Sequence, residues 1–367
     1  MARARDYYFI ALPLAVFYFV LALVVGVIKL MTLSGLLASP PLTVLFPHHG
    51  ELMVFGFLAT LVPAERYIGS RSMNIPPLIH AMPFLTSIGA LLKLFSWFTR
   101  VEILNVAGTL SIAGGVLLYI HLLAFLSGHS TEKTSFRLMG TGALALLLSL
   151  VASYSIPPVG NLSLAFLMLA FPALTILGER VELSKFTMRR IGIEAQAAGL
   201  AGVLGFLVSI AIQTPFLLMA ASLLFFALAV YIMRSERLVL AEGLKGYLSW
   251  HLIVAYAWFF LGFALAFVAS LAKKPQIYFD PAVHALAVGF VLGMIYAHVP
   301  IVAPAILGRR VNETRLTLFP LALLTLGNIL RLLGEATKVR AVVGYSGLLV
   351  LLSLAALARM MQAAVRD

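Results

Sequence analysis

The sequence predicts an all-α fold, a polytopic membrane bundle of about twelve transmembrane helices with both termini cytoplasmic. Three observations lead there. Of the 367 residues, 62% are hydrophobic and only 11% are charged, and the mean hydropathy of +1.04 lies far above that of soluble domains. Apolar runs of roughly 20 residues, the length that crosses the hydrocarbon of a bilayer, recur along the whole chain. The basic residues behind the net charge of +12 sit in short connections between those runs.

Taken in order, cuts at charges, prolines and glycines place spans near 7–31, 48–69, 76–97, 101–127, 136–156 and 159–178. The second half gives 190–212, 215–233, 245–272, 280–308, 313–335 and 341–363. The first run, within "MARARDYYFIALPLAVFYFVLALVVGVIKLM", is too long for a cleaved signal and reads as a span. Arg66/Arg71, Lys133/Arg137, Arg180/Lys185/Arg189/Arg190, Arg234/Arg237/Lys245 and Arg309/Arg310/Arg315 all fall on the side of Arg3 and Arg5. By the positive-inside rule that side is cytoplasmic. Lys273/Lys274 and Lys338/Arg340 are the main exceptions. No long polar linker interrupts the pattern, so residues 1–367 form a single integral membrane domain, expected in the plasma membrane of a prokaryote. A Glu-Arg pair recurs at Glu65-Arg66, Glu179-Arg180 and Glu236-Arg237, hinting at duplication.

The same placement excludes some functions. Cations scattered through loops do not make the basic face that nucleic acid requires, so no nucleic-acid partner is expected beside the lipid bilayer. The absence of cysteine removes disulfides, thiolate metal sites, iron–sulfur clusters and covalently attached haem. Any metal must rest on His, Met, Tyr or carboxylate.

At about 1.5 Å per residue, the histidines fall into two layers. His48, His49 and His284 open spans at the outer side. His80, His121, His251 and His298 lie toward the cytoplasmic side, and His129 is in a charged loop. His284 and His298 share one helix, about 21 Å apart along its axis. Ionisable groups at membrane depth are usually kept for ligation, proton movement or a substrate path.

Haem b, one or two per chain, suits these residue types: axial imidazoles, small residues such as Gly56, Gly289 and Gly293 beside a flat ring, and cations at the outer ends for the propionates. Arg331, Arg100, Lys93 and Lys29 are the cation candidates. Copper or non-haem iron on the inner histidines remains an alternative. Glu51, one turn after His48, is a second partner for a ligand histidine or a proton-path carboxylate. Tyr119 and Tyr296, each two residues before an inner histidine, are proton-path candidates. Residues two apart face different directions on a helix, so one of each pair points elsewhere.

The stretches "HGELMVFGFLATLVPAERYIG" (His49–Gly69) and "HALAVGFVLGMIYAHVPIVAPAILG" (His284–Gly308) resemble the two signature spans of NnrS-like membrane proteins. Those proteins are distantly similar to subunit I of haem-copper oxidases and nitric-oxide reductases. The resemblance implies twelve spans, haem and copper, a role in nitric-oxide stress, and His49, His284 and His298 as ligands. Where this sequence has Glu51, better-known members have a second histidine. No His-x-His pattern occurs, so proton-pumping oxygen reduction is not expected.

Two functions from different classes follow. One is a b-type haem protein handling electrons from a quinol or small redox protein, or a diatomic gas. The other is a histidine-lined transporter for a metal ion or small solute. A cofactor-free structural subunit is a third reading.

Overall fold

The computed structural model describes residues 2–38, 41–70, 73–156, 160–184, 191–234, 243–272, 275–307 and 311–365. Arg71, Lys185, Arg189, Arg190, Glu236, Arg237, Lys273, Lys274, Gly308, Arg309 and Arg310 lie outside them. The described residues hold twelve helices long and apolar enough to cross a membrane, and no strand.

These are α1 (Ala2–Leu33), α2 (His49–Gly69), α3 (Pro77–Thr99), α4 (Glu102–His129), α5 (Lys133–Ser155) and α6 (Leu162–Ser184). The remainder are α7 (Ile193–Ile212), α8 (Pro215–Met233), α9 (Gly243–Leu271), α10 (Phe279–Val302), α11 (Phe319–Thr337) and α12 (Arg340–Ala364). The twelve expected runs each become one of them, because a backbone in hydrocarbon must satisfy its own hydrogen bonds.

The chain falls into two compact units, Met1–Gly26 with Pro40–Leu217 and Val27–Ser39 with Leu218–Asp367. In the first, α3 and α4 form a tight hairpin. A side chain on Gly108 would meet the Gly89 carbonyl at 2.6 Å, and one on Gly89 the Gly108 carbonyl at 2.7 Å, so only hydrogen at both positions permits this approach. The turn between the two helices sets Arg100 in the left-handed region at φ 58°. Helix α6 is the most enclosed, with Leu167, Phe171, Leu174 and Leu177 fully buried. It packs along α5, where Gly178 admits the Ser135 carbonyl and the Met139 side chain.

In the second unit, α9 lies along α10, and α11 pairs with α12. Phe259, Phe263 and Phe290 form an aromatic core together with Phe225, the Phe259–Phe290 pair meeting edge to face at 4.7 Å.

One backbone feature was not legible in the sequence. Immediately after the His49–Glu51 turn, α2 loosens into the wider π-helical hydrogen-bond pattern over Leu52–Leu58. Immediately after His284, α10 does the same over Ala285–Leu292. Such segments are rare and concentrate at functional sites. Here both follow the outer histidines.

Candidate functional site

One end of the first unit gathers a polar cluster around the start of α2. The His48 ring stacks on Trp97 of α3, with centroids 4.2 Å apart and planes 7° from parallel. Its Nδ1 lies 2.9 Å from Glu51 Oε1, a contact set by their one-turn spacing. Glu51 Oε2 faces Lys93 Nζ at 3.6 Å, and Lys93 donates onward to Asn105 Oδ1 at 3.1 Å. Glu51 and Lys93 are both buried. Glu51 therefore has a cationic neighbour that its sequence surroundings did not suggest. Lys93 is held by this pair rather than left for a propionate. The cluster lines a cavity of about 270 Å³ that also touches Arg100, Glu102 and Tyr154. His49 is half-buried, its ring lying against Gly26 of α1.

The outer histidine of the second unit is held differently. His284 Nδ1 donates to the Asp280 carbonyl at 3.0 Å and lies 3.3 Å from Asp280 Oδ1. Arg331, expected as a propionate partner, grips the same carboxylate with two parallel bonds, Nε to Oδ2 at 2.6 Å and Nη2 to Oδ1 at 2.7 Å. A paired fork of this kind is strong and directional, so Arg331 orients the carboxylate that positions His284. Asp280 was missed in the sequence, although its place four residues before a histidine on one helix face was the available signal.

His251 and His298, both in the second unit, lie within electrostatic range of each other. His251 is fully buried, with Nδ1 2.8 Å from the Tyr247 carbonyl. His298 Nδ1 is 2.6 Å from the Met294 carbonyl. A carbonyl can only accept, so each Nδ1 carries the proton and each Nε2 carries the lone pair. His251 Nε2 is buried with no hydrogen-bond partner among the described residues. Tyr296 is buried beside them, its hydroxyl 2.9 Å from Ser353 Oγ and its carbonyl accepting from Tyr247 at 2.9 Å.

Two further histidines of the first unit, His80 and His121, differ in burial. His80 is half-buried, edge-on to Tyr67 at 4.9 Å, with Nδ1 buried and unpartnered among the described residues. His121 is exposed, whereas Tyr119, two residues earlier, is fully buried. An exposed imidazole on the rim of α4 does not join a buried ligand set. His129 is exposed as expected, tied to its own helix.

These residues fit an imidazole-ligated group. A metal-binding histidine commonly donates its other N–H to a carbonyl or carboxylate, which fixes the ring and presents Nε2. His251, His284 and His298 all do so, and His251 Nε2 is an orphaned buried acceptor. One other expectation is not met. The space beside Gly56 is taken by Tyr18, and that beside Gly289 by Trp258, so these glycines admit aromatic neighbours within the protein. No three His, Asp or Glu side chains gather in metal-binding geometry among the described residues.

A family model described as a domain of unknown function, DUF8744, matches residues 12–366. No curated protein and no solved structure matches the chain.

Proposed function

As the chain belongs to the DUF8744 family, whose description names no activity, we propose from its own residues that it is a b-type haem-binding integral membrane protein. Its role is redox or directed at a diatomic gas such as nitric oxide. The observation that carries this assignment is His251, whose Nε2 is buried and unpartnered while Nδ1 is fixed on the Tyr247 carbonyl. A neutral imidazole presented in this way is a ligand for iron. The resemblance of His49–Gly69 and His284–Gly308 to NnrS-like spans agrees with it.

In this assignment His49 serves the first unit, and His251, His284 and His298 serve the second. The Asp280–Arg331 fork keeps the His284 ring oriented, and the Tyr247 and Met294 carbonyls do the same for His251 and His298. His48, Glu51 and Lys93 hold a proton-exchanging chain beside His49 that opens to the outer cavity. A haem held by these histidines would supply a one-electron centre and a place for a gas to bind. Electrons come from a quinol or a small redox protein, and the protein lies in a prokaryotic plasma membrane with both termini cytoplasmic.

Carbon monoxide tests the gas-handling part. Added to dithionite-reduced protein, it is expected to shift part of the Soret absorbance. A reduced haem spectrum wholly indifferent to both carbon monoxide and nitric oxide would restrict the protein to electron transfer.

A further inference from the structure

The recurring Glu-Arg pairs of α2 and α6 are not used by the haem assignment, and the structure brings them together. Arg66 of α2 spends both terminal nitrogens on α6, with Nη2 3.0 Å from Glu179 Oε1 and Nη1 2.8 Å from Glu182 Oε2. Glu65, its neighbour in sequence, stands within electrostatic range of Glu179 and Arg66, with no ion pair to either. Among the described residues, Glu65, Glu179 and Glu182 thus lie around the one Arg66 guanidinium. Among the described charged groups at this end, Lys133 and Arg137 of α5 and Glu194 of α7 are exposed, Glu132 before α5 is half-buried, and the His80 ring meets Tyr67.

Half-buried carboxylates this close together favour holding one proton between them. A second, independent feature points to the same place. Tyr119 of α4 is fully buried, its hydroxyl has no partner among the described residues, and Arg66, Glu179 and Glu65 all act on it. Its ring meets Phe171 of α6 edge-on at 6.5 Å. Phe171, Thr175 and Glu179 are spaced four apart and share one face of α6, so Thr175 lies on the stripe between the two residues that meet Tyr119. The Thr175 hydroxyl is also buried and unpartnered. Two orphaned hydroxyls beside an unbalanced pair of carboxylates mark a site that takes up a small cationic species. No three acidic or histidine side chains among the described residues are arranged for a metal ion.

We propose that Glu65, Glu179 and Tyr119 form an intramembrane proton-binding site at the end of the first unit where α2, α4 and α6 finish. One proton from solution converts one carboxylate to a neutral carboxyl. That carboxyl is shared between Glu65 and Glu179, with the Tyr119 hydroxyl as a hydrogen-bond partner. No electron moves in this step. Arg66 fixes Glu179 and leaves Glu65 as the exchanging group.

Infrared difference spectroscopy of the full-length protein in nanodiscs, titrated with pH, tests this without any bound haem, so it fails or succeeds independently of the haem assignment. Expected is a protonated-carboxyl C=O band that shifts in deuterium oxide. It is lost in Glu65→Gln, shifted in Tyr119→Phe, and unchanged when potassium is replaced by sodium. Glu65→Asp, which keeps the carboxyl, retains a band and controls for folding. Absence of the band in the parent protein, its survival in the Glu65→Gln/Glu179→Gln double variant, or its removal by sodium at constant pH would each overturn the proposal.

Discussion

His251→Ala and His284→Ala are each expected to convert a six-coordinate low-spin haem spectrum to a high-spin one or to remove that haem, with occupancy at the affected site falling at least about tenfold. The expectation rests on how each ring is held. His251 is locked by the Tyr247 carbonyl in a wholly buried position, and His284 by Asp280, itself gripped by Arg331. Asp280→Asn should act on the same haem more mildly, because it weakens the orientation of His284 without removing the imidazole. If both alanine variants keep the parent spectrum, the ligands are elsewhere, and His48 becomes the next histidine to remove.

Arg66→Met is expected to be the most destabilising single change in the first unit, costing about 3 kcal/mol. The variant leaves Glu179 and Glu182 without their shared cation, and both carboxylates are only partly exposed, at 22% and 26%. Arg66→Lys should recover only part of the loss, since a single ammonium cannot reach both carboxylates with the fixed fork of a guanidinium. Thermal unfolding in detergent gives the order parent, Lys, Met. An Arg66→Met variant as stable as the parent would mean that the pair contributes nothing, as is common for exposed ion pairs.

The architecture was legible from hydropathy because lipid imposes a single requirement, long apolar helices, on nearly every residue. Side-chain partnerships were less so, because they depend on helices distant in sequence. Glu51 has no Lys or Arg close to it in sequence, yet Lys93, 42 positions later, supplies a cation. Arg331 was read as waiting for a ligand, yet Asp280 takes it. The helical two-residue offset did separate buried Tyr119 from exposed His121. Depth alone did not give the inner histidines their surroundings: His251 and His298 lie within electrostatic range of each other, and His80 packs edge-on against Tyr67. The π-helical segments after His49–Glu51 and His284 left no trace in composition, because their residues are as apolar as those of any α-helical span.

The haem assignment is tested most directly by pyridine haemochrome and iron quantitation on the full-length protein purified from haem-replete cells. The expected result is one or two non-covalent haem b per chain, extractable with acid acetone and matched by the iron content. A colourless, iron-free preparation would contradict it.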